Sequence, residues 1–241
     1  DGREKHINIS CGKTAFGKII SFLRWRRAAA RLIHRKKYDA LIILTTYPAI
    51  MLCGTLKRAY QGKYIFDIRD YTQEAYGIYR KRVMNIIESS SFTTISSKGF
   101  LAWLDANNKI IINHNITVNQ LPESKEPPQF EQRPIRLSFV GNVRLDAQTK
   151  ALMIALANNK DYVMRFYGRI LPGCDIVNFC KDKNIHNVEI MGPFHTDEKD
   201  EIYEEVDLIN AVYANDADEL RPGDATPVPN RLYDAIVFHR P

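Results

Sequence analysis

Apolar and polar positions alternate along the chain in two rhythms, and the switching between them predicts most of its elements. His6 to Ser10 predicts a short strand, and from about Thr14 to Arg35 the apolar residues Phe16, Ile19, Ile20, Leu23 and Ile33 recur near helical spacing. Ala40-Leu41-Ile42-Ile43-Leu44 is a continuous apolar run, the pattern of a strand covered on both faces in a parallel sheet. Helix and strand then alternate: a helix around Ala49–Ala59, strand Tyr64–Ile68, helix Arg80–Ser89, strand Phe92–Ile95, helix Lys98–Asp105 and strand Lys109–Ile112. This order predicts an α/β unit with right-handed crossovers.

Asn119 to Pro134 breaks the rhythm, placing Pro122, Pro127, Pro128 and Pro134 among Glu, Gln and Lys, as an interdomain linker does. The alternation then restarts with strand Arg136–Val140, helix Gln148–Asn158, strand Val163–Tyr167, helix Cys174–Lys183, strand Val188–Met191, helix Lys199–Glu205 and strand Leu208–Val212. The expected organisation is residues 1–120, a linker at 121–134, and residues 135–241. Each half is an open, parallel, Rossmann-like α/β sheet, and ligands of such sheets sit at the carboxyl ends of strands.

Composition supports a folded chain: 45% of the 241 residues are hydrophobic and 26% charged, which fits neither a disordered nor a fibrous protein. The four cysteines, Cys11, Cys53, Cys174 and Cys180, are too few and scattered for a disulfide framework and form no C-x-x-C pair, so reduced, mostly buried thiols are expected. The apolar run from Ala40 to Cys53 is interrupted by Thr45, Thr46 and Pro48 and is shorter than the roughly 20 residues of a spanning helix. With no signal peptide at the start, the cytoplasm is the expected compartment, with peripheral placement at the inner membrane face as an extension.

The net charge of +6 is unevenly spread. No acidic residue occurs from Gly12 to Lys37, where Lys13, Lys18, Arg24, Arg26, Arg27, Arg31, Arg35, Lys36 and Lys37 are all basic, whereas Asp197 to Asp224 leans acidic. Interleaving of these cations with Phe16, Phe22, Leu23 and Trp25 suits a helix lying on an anionic membrane surface. It equally suits a core helix whose exposed face is basic.

Three signals in the second half, taken in order, resemble the C-terminal domain of GT-B fold glycosyltransferases, particularly the retaining family 4 and its bacterial surface or capsular polysaccharide members. They are Phe139-Val140-Gly141-Asn142-Val143-Arg144 with Lys150; then Phe166-Tyr167-Gly168-Arg169 and Val188 to Phe194; then Pro229-Asn230-Arg231-Leu232-Tyr233-Asp234-Ala235-Ile236 with His239-Arg240-Pro241. In the first half, Phe66-Asp67-Ile68-Arg69-Asp70, Ile95 to Phe100 and Asn113-His114-Asn115 resemble strand ends and a helix start of the acceptor domain. The resemblance implies two such domains facing a cleft, each incomplete here, since the family begins with a strand and glycine-rich loop before Asp1 and continues past Pro241.

It also implies chemistry. A nucleotide-diphosphate sugar of UDP or GDP type presents anionic oxygens, which call for cations and backbone N–H donors; Gly141, Asn142, Gly168 and Arg169 line the strand ends, while Arg144 and Lys150 hold the diphosphate. The start of the helix after Gly141 adds positive potential. Asp234 takes the position of a glutamate that accepts from ribose hydroxyls, with Asn230 at the helix start, and Asp70, Arg69 and His114 are acceptor-side candidates. Family members often carry a second glutamate eight positions earlier, where this chain has Thr226. Transfer is expected to be retaining, with no metal or cofactor, to a sugar, polysaccharide or lipid-linked acceptor.

Without the resemblance, the same residues read differently. Arg144 and Lys150 suit solvated positions after a tight turn, Asp234 a carboxylate favoured at a helix N-terminus, His114 a hydrogen-bonded strand end, and Asp70 a turn. Three alternatives stand beside a transferase: a degenerate GT-B protein that binds nucleotide without turnover, a nucleotide-sugar epimerase, and a non-enzymatic basic module for membrane or nucleic acid. The acidic stretch in the second half disfavours specific nucleic-acid binding.

Overall fold

The structure is a computed structural model that describes residues 6, 8–104, 108–116, 130, 133–212, 228 and 230–241. The chain forms two compact units, one of residues up to His114 together with Val228, and one of the other described residues from Asn115 onward, which include the C-terminal helix. Most of the expected linker, Thr226 and Pro229 lie outside the described residues.

The first unit runs α1 (Ala15–Lys36), β1 (Leu41–Leu44), α2 (Thr46–Ala59), β2 (Tyr64–Ile68), α3 (Gly77–Ser89), β3 (Phe92–Ile95), a 3₁₀ turn (Lys98–Ala102) and β4 (Ile110–Ile112). Its strands lie side by side in sequence order, all parallel, with Ile43 opposite Phe66, Phe66 opposite Thr93 and Thr93 opposite Ile110. Strand order that advances in one direction, joined by right-handed crossovers, sends every connecting helix to the same face. The core shows this: Ile43, Phe66, Ile68 and Ile95 pack with Ala29 and Ile33 of α1, Leu52 and Leu56 of α2, and Val83, Ile86 and Ile87 of α3. Ile42, Leu44 and Ile111, at the alternate positions, are exposed. The expectation of a sheet covered on both faces is therefore met on one face only among the described residues.

The second unit runs β5 (Ile135–Val140), α4 (Ala147–Ala155), β6 (Tyr162–Tyr167), α5 (Ile176–Asp182), β7 (Val188–Gly192), a 3₁₀ turn (Thr196–Glu198), α6 (Lys199–Glu204), β8 (Leu208–Ile209) and α7 (Asn230–Val237). Its parallel sheet has the order β7-β6-β5-β8, so the chain steps twice in one direction and then returns to the other side of β5. That reversal moves the following helix to the opposite face. Phe139, Met164 and Phe166 accordingly pack with Met153 and Ile176 on one face, while Val140 and Tyr167 pack with Ile202, Tyr203 and Val206 on the other.

Three sequence expectations are corrected. Among the described residues from His6 to Ser10 there is no strand; instead the segment folds onto α1, with Ser21 Oγ donating to the Ser10 carbonyl (3.0 Å) and Gly12 N–H donating to Ser21 Oγ (3.1 Å). The expected helix at Lys98–Asp105 is a 3₁₀ turn, closed by bonds from Phe100 N–H to Ser97 O and Trp103 N–H to Phe100 O. β8 stops after Ile209 because Asn210 Oδ1 accepts from Val212 N–H (3.1 Å), a side-chain turn that replaces the ladder. All four cysteines are free, Cys11 exposed and the others half-buried. Among the described residues no helix is long and apolar enough to cross a membrane.

Candidate functional site

The strand-order reversal in the second unit lies between β5 and β8, and in open α/β sheets the crevice for a ligand forms at the carboxyl ends of the strands beside such a point. Three adjacent strands end there in glycines with positive φ: Gly141 after β5 (+140°), Gly168 after β6 (+133°) and Gly192 at the end of β7 (+86°). The backbones are in close contact, since a Cβ on Gly168 would lie 1.8 Å from the Gly141 carbonyl oxygen. Gly141 N–H donates to Tyr167 O (2.9 Å) and Gly168 N–H to Gly192 O (2.7 Å), which aligns the three turns along one edge.

Pairing continues past the glycines. Val143 N–H donates to Arg169 O (2.9 Å), and Val143 and Ile170 form an isolated parallel bridge. Arg144 and Arg169 thus leave neighbouring extended segments, and both are exposed, as are Asn142 and Lys150. The helix expected from about Gln148 begins one residue earlier, at Ala147, and its N-cap, Asp146, accepts from Thr149 N–H (2.8 Å). A carboxylate at that position satisfies a free N–H and balances the positive end of the helix dipole. At this end of α4 the positive potential therefore comes chiefly from side chains, with Lys150 on its first turn.

The start of α7 belongs to the same edge. Arg231 is buried, and its guanidinium carbon lies 3.6 Å from the centroid of the Phe139 ring on β5, a cation–π contact. Asn230 is exposed and already helical rather than a cap. Asp234 consequently sits beyond the first turn, so the dipole explanation for a carboxylate there does not apply.

Asp234 has specific partners instead. Lys199 Nζ lies 2.8 Å from both carboxylate oxygens, and the Tyr203 hydroxyl donates to Oδ2 (2.9 Å). Lys199 and Tyr203 stand four residues apart on α6 and so share a face. Burial, reinforced by the Asp234 charge, pushes the Tyr203 phenol far above its ordinary range, and its ring stacks on Phe238 at 4.4 Å. A carboxylate offers about four lone-pair directions, so three such contacts leave one on Oδ1. Sequence reasoning missed Lys199, Tyr203 and the stacking of Arg231; the four-residue spacing of the first two was visible, but nothing in the sequence links it to Asp234.

In the first unit, Asp70 is exposed just past β2 and His114 is exposed just past β4. One strand separates them, so their backbones stand about 10 Å apart in the sheet direction. Asp67, by contrast, is buried, accepts from Arg69 Nε (2.7 Å) and is hydrogen-bonded by the Thr94 hydroxyl. Asp67 thereby orients Arg69 at the carboxyl edge.

Beside it, Thr45 has φ 67° and ψ 162°, a conformation natural mainly to glycine, and its N–H donates to Asp67 O (2.8 Å). Thr46, Thr72 and Tyr79 join their hydroxyls at 2.8 to 3.0 Å, and buried Glu74 accepts from the Thr72 backbone and hydroxyl.

No family model matches the chain, and no curated protein matches it by sequence. Solved structures do. A sucrose-phosphate synthase from Thermosynechococcus elongatus superposes with TM-score 0.63 over 84% of this chain and 58% of that one, at 10% identity. A mutant of S. aureus TarM, in complex with fondaparinux, alpha-GlcNAc-glycerol and UDP, matches with TM-score 0.54 over 76% of this chain and 39% of that one, at 11% identity. HepE from Anabaena, in complex with UDP, matches with TM-score 0.52 over 82% and 58%, at 13% identity. The chain spans less than two thirds of the length of each. At these identities the likeness is one of fold: the chain has the α/β architecture of GT-B glycosyltransferases, with two parallel four-stranded sheets.

Proposed function

We propose that this chain is part of a glycosyltransferase that moves a sugar from a nucleotide diphosphate to a sugar, polysaccharide or lipid-linked acceptor. The observation that carries the reading is the coincidence, at the β5/β8 reversal, of glycine turns on adjacent strands with exposed cations and a helix start bearing Asn230 and Asp234. Positive-φ glycines let a diphosphate approach the backbone closely. Arg144, Lys150 and Arg169 are the groups that neutralise it, and an arginine adds bidentate geometry.

Departure of a nucleoside diphosphate leaves negative charge on the phosphate oxygens as the glycosidic C–O bond breaks. Cations held at the edge lower the barrier by stabilising that charge more in the transition state than in the bound donor. In this reading Gly141, Asn142 and Gly168 shape the phosphate turn, and Asn230 with the free lone pair of Asp234 Oδ1 receives the nucleoside. Lys199 and Tyr203 are positioning residues that fix the Asp234 carboxylate. UDP, bound in two of the matched structures, is the first donor base to test, with GDP second. Retention at the anomeric carbon and independence of metal belong to the proposal, as do Asp70 and His114 on the acceptor side. Incubation with UDP- and GDP-sugars, read by release of nucleoside diphosphate, tests it; binding of DNA in place of these donors contradicts it.

A further inference from the structure

We infer that α1 is an interfacial helix that docks the chain on an anionic lipid bilayer. The inference rests on α1 alone and does not depend on what the second unit binds. The helix has 22 residues, about 33 Å of length, and among the described residues its later half is the part that enters the core: Ala29 and Ile33 are buried, with Trp25 and Ala30 packed beside them. Its earlier half carries Phe16, Ile19 and Leu23 at the spacing of a single stripe, and these are 73%, 56% and 48% exposed. Phe22 adds a second exposed ring.

The segment that folds back on this half uses another side of it. Gly12 packs against Gly17, where an added Cβ would come within 2.4 Å of the backbone, and Ser10 and Gly12 bond to Ser21. Gly17 and Ser21, four apart, define that side, and among the described residues nothing covers the apolar stripe.

Charge selects the partner. Arg26 and Arg27 follow Leu23 by three and four positions and so border the stripe, and Arg31 extends the row by one turn. All three are exposed, and among the described residues none of the cations of α1 is in a salt bridge. A second copy is a poor occupant, because a twofold contact would face two helices that have no acidic residue between Gly12 and Lys37. Nucleic acid would use the cations but leave the phenyl and aliphatic side chains in water. A bilayer with anionic headgroups takes both, cations at the phosphates and apolar side chains at the acyl boundary.

The test is flotation of the full chain with vesicles of phosphatidylcholine alone or mixed with phosphatidylglycerol, with circular dichroism as the folding control. Binding to the mixed vesicles and not to phosphatidylcholine alone is expected, weakening as the Debye length falls from about 10 Å at 0.1 M salt to about 3 Å at 1 M. Replacing Arg26, Arg27 and Arg31 by Gln should lower the partition coefficient about fivefold per charge, roughly a hundredfold together. Phe16→Ser with Leu23→Ser should lower it at least tenfold at unchanged charge. Both sets change exposed side chains, so either one serves if the other fails to fold.

Equal binding to the two vesicle types, or none to either, overturns the inference. So does apolar-variant binding equal to wild type, since it would leave only charge and no insertion of the stripe at the acyl boundary. Self-association that disappears in the Phe16 and Leu23 variant, without vesicle binding, assigns the stripe to a second copy and also overturns it.

Discussion

Gly168 stands so close to Gly141 that the Cβ of any other residue would lie 1.8 Å from the Gly141 carbonyl oxygen, and its φ of +133° is one that side-chain-bearing residues rarely adopt. The atom in the way is backbone and cannot rotate aside. Gly168→Ala should therefore destabilise the protein by roughly 2–4 kcal/mol, as strain at a special backbone conformation does. Urea unfolding reads this as a lower midpoint at unchanged slope. Gly141→Ala keeps the unfavourable φ but meets nothing within 4 Å, so it should cost less.

Tyr203 is neutral in the folded chain because burial and the Asp234 charge disfavour phenolate. Its folded pKa is raised above the unfolded value of about 10, so its contribution to stability is complete at neutral pH and declines once pH exceeds about 10. Tyr203→Phe removes the hydrogen bond to Asp234 and should cost about 1–2 kcal/mol at pH 7. In an ultraviolet titration of the 12 tyrosines, this variant should lack a phenol that ionises only on alkaline unfolding.

Asp207 is held below the usual carboxylate range, first by hydrogen bonding from Arg136, whose Nε and Nη2 lie 3.0 and 2.8 Å from its oxygens. A depressed folded pKa gives stability that is present above the unfolded value of about 4 and lost as pH falls through the folded value. Asp207→Asn should lower stability at pH 7 by about 1–3 kcal/mol and flatten its dependence on pH below about 4. Thermal melts of both proteins from pH 7 to pH 2 measure this.

Thr45 carries its strain at the end of β1, where the chain turns into α2. Thr45→Gly should raise stability by about 1 kcal/mol, the relief of strain exceeding the added freedom of the unfolded chain. Unchanged or lower stability in denaturant would mean that the threonine side chain contributes more than the backbone loses.

Much of the fold was legible because a parallel α/β sheet writes its elements as separate apolar runs: Ala40 to Leu44, Tyr64 to Ile68 and Val163 to Tyr167 each overlap a strand. His6 to Ser10 misled because its alternating pattern gives no sign of whether a neighbouring strand exists to pair with. Lys98 to Asp105 misled because periodicity over so short a stretch does not separate a 3₁₀ turn from an α-helix. At the site, the glycines were legible as strand ends, since a turn leaves a local mark. The clamp on Asp234 was not, because Lys199 and Tyr203 meet it across 35 and 31 residues of sequence, and tertiary partners leave no local trace.

The central claim is that the carboxyl edge of β5 and β6 binds a nucleoside diphosphate through Arg144 and Lys150. Calorimetric titration of wild type, Arg144→Ala and Lys150→Ala with UDP, GDP and ADP tests it most directly, because both residues are exposed and their loss should leave the fold intact. The expected result is binding of UDP or GDP by wild type and at least tenfold weaker binding by each variant, about 1.4 kcal/mol or more. Equal affinity in all three proteins, or no binding of any nucleotide by wild type, contradicts it.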